Sequence, residues 1–179
     1  MELTTARTAL EEARQSEAET YAFTEFSAAV DSLEAAESSI SQEGSKFALF
    51  RNYSRAKTLL AEAESLSVDA REAAVQQKER VRTESMQLLT SAEAGIEEAK
   101  RLVEVAPVGK GSRAEIELIK ADIASLAPAL EEAKAAYERG DYVTAIARAK
   151  VILSKTDELA AEIRAAQGLV GAPGAKTTG

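Results

Sequence analysis

The chain has 179 residues, 45% of them hydrophobic and only 4% aromatic, with no Trp, Cys or His, and its 22 basic and 30 acidic side chains give a net charge of −8. That length suits one domain or two small ones with a buried core. An apolar share carried by Ala, Leu, Ile and Val among Glu, Lys and Arg is the composition of long helices with negligible strand. Without Cys there is no disulfide framework or thiolate site. Without His as well, serine triads, papain-like sites, zinc and non-haem iron sites and the Glu-x-x-His pairs of dimetal bundles lose their main actors.

The acidic excess is spread along the chain, so it gives solvated faces. A duplex nucleic acid is disfavoured as a partner, because phosphate neutralisation needs a basic surface. No run approaches the ~18 apolar residues of a membrane helix. The opening residues Met1 to Arg7 lack a signal peptide's apolar core, which leaves a cytosolic chain or the mature part of an exported one.

In the first segment the apolar positions run Leu3, Ala6, Leu10, Ala13, lose register at Glu17 and Thr20, and resume as Phe26, Ala29, Leu33, Ala36, Ile40. Spacings of three and four predict a helix with a break between Gln15 and Thr24. Gly44 suits the residue after the helix end, where a positive φ is favourable. Ser45 is read as the cap of a second helix running without a strong stop from Lys46 to Val105. Its apolar positions are Leu49, Tyr53, Ala56, Leu60 and Ala63, then Val81, Leu88, Leu102 and Val105. Gly95 within it predicts a close helix crossing or a small bend.

Pro107, Gly109 and Gly111 end that helix, and Ser112 with Glu115 reads as a capping box for the third. Its stripe is Ile116, Ile119, Ile123, Leu126, Leu130, Ala133, Tyr137, with Pro128 on the opposite face bending the helix around its core. Gly140 ends it and Asp141 caps the fourth helix. There the stripe is Tyr142, Ala145, Ala149, Ile152, Thr156, Leu159, Ile163, Ala166, closed by Gly168. The fold predicted is an all-α, elongated bundle of antiparallel helical hairpins with a long second helix. It divides into an N-terminal helical hairpin over 1–80, a three-helix part over 81–168 that includes the hairpin 113–167, and a disordered tail over 169–179. Tyr53-Ser54-Arg55-Ala56 echoes Tyr142-Val143-Thr144-Ala145 at an offset of 142 − 53 = 89.

Nothing along the chain reads as catalytic, cofactor-binding or metal-ligating, and an enzyme is not expected. The doublets Glu11-Glu12, Glu97-Glu98 and Glu131-Glu132 are i,i+1 neighbours that diverge on a helix, so they read as solvated faces. Gly109-Lys110-Gly111-Ser112 lacks the strand and spacing of a phosphate-binding loop. Phe47, Leu49 and Phe50 cannot all face one partner helix. For Phe47 and Phe50 a place in the core is the favoured reading, and the alternative makes Lys46 to Tyr53 a contact for a protein partner or for lipid.

The stretch Tyr21-Ala22-Phe23-Thr24-Glu25-Phe26, with Ala29, Leu33 and Ala36 and then Tyr53, Ala56, Leu59 and Ala63, resembles a helical domain of Gram-negative envelope lipoproteins. That family is a domain of unknown function with a Tyr-Ala-Pro-x-Glu-Leu motif and a Gly-x-Tyr-x2-Ala hairpin. The likeness covers residues 13 to 70, and its hairpin part recurs at Gly140, Tyr142 and Ala145. The chain departs from the pattern in Phe23, where the family has Pro, and in an insertion between Gly44 and Tyr53. The same hairpin is similar to a tetratricopeptide turn, but the repeat period is missing.

The lipoprotein resemblance implies a periplasmic domain held to the membrane by an acylated Cys ahead of Met1. Its role would be that of a non-enzymatic interaction or scaffold domain with a protein partner, a second copy of itself included. A cytosolic coiled-coil-like adaptor and an amphipathic lipid-surface binder are the alternatives.

Overall fold

The computed structural model describes residues 1–106 and 113–170. Among these there is no strand. The elements are α1 (Glu2–Gln15), α2 (Ala18–Tyr21), α3 (Phe23–Gly44), a 3₁₀ turn (Ala48–Phe50), α4 (Ser54–Glu104), α5 (Arg113–Glu138) and α6 (Tyr142–Val170). They form an all-α helical bundle in two compact units, Met1–Arg80 and Val81–Gly179. The loop from Pro107 and the Ser112 cap expected from the sequence lie outside the described residues, as do residues 171–179.

In the first unit, the break predicted after Gln15 is a reversal. Glu17 takes a left-handed φ of 60°, and Ala22 leaves the helical region with φ −143° and ψ 48°. The single turn α2 lies between them. The chain therefore doubles back, so that α1 runs antiparallel to α3: Arg7 pairs with Glu37 at 2.7 Å, and Arg14 stacks over the Phe26 ring at 5.6 Å. The first part of α4 lies along α1, with Arg71 on Glu12 at 2.8 Å and Lys78 on Glu17. The unit is thus a three-helix, up-down-up bundle where a two-helix hairpin was expected. Its core is made of Ala6, Ala13, Ala18, Ala22, Ala29, Ala36, Ala63, Ala70 and Ala74 around Leu10, Phe26, Leu33 and Leu60.

The second unit repeats the plan with larger side chains. Leu89, Ile96 and Val103 of α4 pack with Ile116, Ile119, Ile123, Leu126 and Leu130 of α5 and with Ile152, Leu159 and Ile163 of α6. Burying each Leu or Ile contributes about 1.5–3 kcal/mol. Gly95 sits where α4 meets α6: a Cβ there would lie 2.8 Å from Thr156 Oγ1. The predicted close crossing is present, and α4 runs through Gly95 unbroken. Pro128 is exposed within a continuous α5.

Several details differ from the sequence reading. The long helix starts at Ser54, not Lys46. Ser45 does not cap it; its backbone N–H donates to Ser41 O and its hydroxyl to Gln42 O, which finishes α3. Gly44 is the last residue of α3 and has no positive φ. Leu49 is outside the helix and exposed, and Val105 is also exposed, because the buried face near the end of α4 runs Leu89, Ala92, Ile96, Ala99, Val103. Ala136 is buried beside a half-buried Tyr137. Helix α6 continues through Gly168 to Val170, so Leu169 and Val170 are helix rather than tail. One interior Gly costs about 1 kcal/mol, too little to stop a packed helix.

Candidate functional site

The two turns that lead into the last helix of each unit show how local sequence sets the site. In the second unit Gly140, at φ 81°, closes α5. Asp141 N–H donates to Ala136 O at 3.0 Å and Gly140 N–H to Tyr137 O at 2.9 Å, the two bonds of a Schellman end. Asp141 Oδ1 then accepts from Thr144 N–H at 3.1 Å and caps α6. Thr144, first through its hydroxyl and then through this N–H, holds the Asp141 carboxyl below its ordinary value. The Tyr137 and Tyr142 rings meet across the turn at 5.2 Å.

In the first unit the chain between α3 and α4 takes a longer route, and its polar groups bond to one another and to the ends of the flanking helices. Arg51 donates from Nε to Lys46 O and from Nη2 to Gly44 O, both at 3.0 Å, so a guanidinium satisfies carbonyls that a helix end leaves open. Glu43 accepts from Lys46 Nζ at 2.6 Å and from Asn52 N–H at 2.9 Å. The Lys46 bond first and the Asn52 bond second hold its carboxyl below the ordinary value. Asn52 Oδ1 accepts from Ser54 N–H, 3.0 Å away, at the start of α4.

The apolar side chains of this pinned loop face solvent. Phe47 is 73% exposed, Leu49 84% and Phe50 74%. The favoured expectation that Phe47 and Phe50 are core residues is therefore corrected: every residue from Gly44 to Asn52 is exposed. Burial resumes with half-buried Tyr53 and buried Ala56. Phe47 precedes the 3₁₀ turn Ala48–Phe50 and Phe50 ends it, so three exposed large apolar residues fall within four positions of one loop. Other exposed large apolar residues, such as Phe23, Val75, Met86 and Leu118, are scattered singly. What sequence reasoning missed is the pinning, although Arg51 and Asn52 are the residue types that bond local carbonyls and cap helices.

Shallow grooves also lie in the first unit. One, of about 280 Å³, is lined by Leu3, Ile40, Tyr53, Ala56, Lys57 and Leu60. Another, of about 560 Å³, runs between α1 and α4 past Thr4, Thr8, Glu12, Glu64 and Arg71. Among the described residues no three acidic side chains gather to ligate a metal. The Glu doublets split as expected: Glu11 pairs with Arg14 and Glu12 with Arg71, Glu97 with Lys100 and Glu98 with Arg101, Glu131 with Lys134 and Glu132 with Arg148. No helix among the described residues is long and apolar enough to cross a membrane. The chain matches no family model, and no significant similarity to a curated protein or a solved structure is found.

Proposed function

We propose that this chain is a non-enzymatic helical interaction domain whose contact site is the loop carrying Phe47, Leu49 and Phe50, and that it belongs to a lipid-anchored periplasmic protein. One observation carries the contact site: three large apolar side chains stand in solvent on a loop held by Arg51, Glu43 and Asn52. A clustered apolar patch costs solubility, and such patches mark interaction surfaces. A pinned loop also loses little entropy when it is covered. The envelope setting rests on the lipoprotein resemblance over residues 13 to 70.

The test is site-specific photocrosslinking in the cell that natively carries the gene, with the probe replacing Phe47, Phe50 or, as an exposed control on α5, Leu118. Adducts at 47 and 50 but not at 118 support the contact site, and an absence of adducts at 47 and 50 contradicts it. The setting is tested separately by the intact mass of the native gene product. A diacylated Cys ahead of this sequence and recovery with membranes support the envelope reading, and an unmodified product in the soluble fraction contradicts it.

A further inference from the structure

We propose that the loop end of the first unit is an insertion tip for an anionic phospholipid surface, an inference that rests on reading this loop as a contact site. The charge pattern points there. From Gly44 to Ala61 the chain carries Lys46, Arg51, Arg55 and Lys57 and no Asp or Glu, although the whole chain has a net charge of −8. All four cations are exposed. Lys46 pairs with Glu43 and Lys57 lies 3.7 Å from Glu2, while Arg51 donates to backbone carbonyls rather than to a carboxylate. Cations beside an anionic leaflet each strengthen adsorption.

The tip itself suits hydrocarbon better than a protein partner. At about 200 Å² per large side chain, Phe47, Leu49 and Phe50 offer on the order of 400 Å² of exposed surface. That is close to the apolar share of a standard protein interface, about half of roughly 800 Å² per partner, so charge and hydrogen bonding decide between the two. A protein interface needs a complement of hydrogen bonds, whereas the groups at Ser45, Lys46, Arg51 and Asn52 are bonded within the loop. A bilayer asks for no directional bonds. It takes apolar side chains into the boundary region while flanking cations stay with the headgroups.

The experiment is co-sedimentation of the full chain with vesicles of phosphatidylethanolamine and phosphatidylglycerol, against vesicles of phosphatidylcholine. Binding to the anionic vesicles alone, weakening as salt rises, is the expected result. The double variant Phe47→Ser/Phe50→Ser, checked by an unchanged melting temperature, lowers it by more than about tenfold. Arg55→Gln/Lys57→Gln lowers it severalfold, and Leu118→Ser leaves it unchanged. No binding, equal binding to the neutral vesicles, or equal loss in Leu118→Ser overturns the proposal. Crosslinks from position 50 to a protein together with no vesicle binding keep the contact site and discard the lipid.

Discussion

The α3-to-α4 turn of the first unit and the α5-to-α6 turn of the second occupy the same place in two up-down-up bundles, and each leads to a Tyr with a buried Ala three residues later. They differ in length, with residues 45–53 between α3 and α4 against 139–141 between α5 and α6, and in the residue that turns the chain. Gly140 adopts φ 81° and reverses the chain at once. Its counterpart at the offset of 89 is Arg51, for which a left-handed conformation would cost about 1–2 kcal/mol. Arg51 is instead extended, at φ −76° and ψ 129°, and the chain detours through the 3₁₀ turn. That detour leaves Phe47, Leu49 and Phe50 in solvent. The cores differ in the same sense: mostly Ala with a few large residues in the first unit, ranks of Ile and Leu in the second. Hydrogen exchange should therefore be faster in α1 and α3 than in α5 and α6.

Substitutions can break or sharpen this comparison. The largest effect is expected in the second core: Leu159→Ala, at a position with no solvent exposure, should cost about 2–5 kcal/mol in denaturant unfolding. Gly95→Ala forces a Cβ against Thr156, 2.8 Å from its Oγ1, and should cost about 1–3 kcal/mol. Combining it with Thr156→Ala should recover part of that loss, read as a coupling in a double-mutant cycle.

The turns supply the next pair. Gly140→Ala should cost about 1–2 kcal/mol. Gly44→Ala, with ordinary φ and open space around its Cβ position, should be neutral or stabilise by up to about 1 kcal/mol. Equal losses at both would contradict the account of the turns.

Asp141→Ala should cost about 1 kcal/mol, in a pH-dependent way. The native carboxyl titrates below its ordinary value of 3.8, so the folded state favours the ionised form. Its stabilisation is complete above that value and is lost as pH falls through the lowered native pKa. The wild-type and variant unfolding curves should therefore converge in acid. The smallest effect belongs to Phe47→Ser/Phe50→Ser, which should change stability by less than about 0.5 kcal/mol.

Much of the fold is legible in the chain, because spacings of three and four residues name a buried face directly. The stripes of α5 and α6, the Gly140–Asp141 turn and the Gly95 crossing all follow from local rules. The direction of the chain after Gln15 does not, since loss of register at Glu17 and Thr20 marks a break without saying whether the helix bends or reverses. The start of α4 is hidden for a related reason: Lys46 to Tyr53 is compatible with helix by composition. The competing hydrogen bonds of Arg51 and Asn52 reach back five and seven residues and forward two, contacts that helical periodicity does not report. The same competition hid the candidate site, because burial of Phe47 and Phe50 is the ordinary outcome for Phe on a helix.

The most direct test uses the absence of Trp from the chain. Phe50→Trp places a single indole at the loop tip, to be read in buffer by emission and iodide quenching alongside the melting temperature. Emission like that of free indole in water, full quenching and unchanged melting are the predicted result. A blue-shifted, quencher-protected indole would show the loop folded into the protein and would remove the contact site.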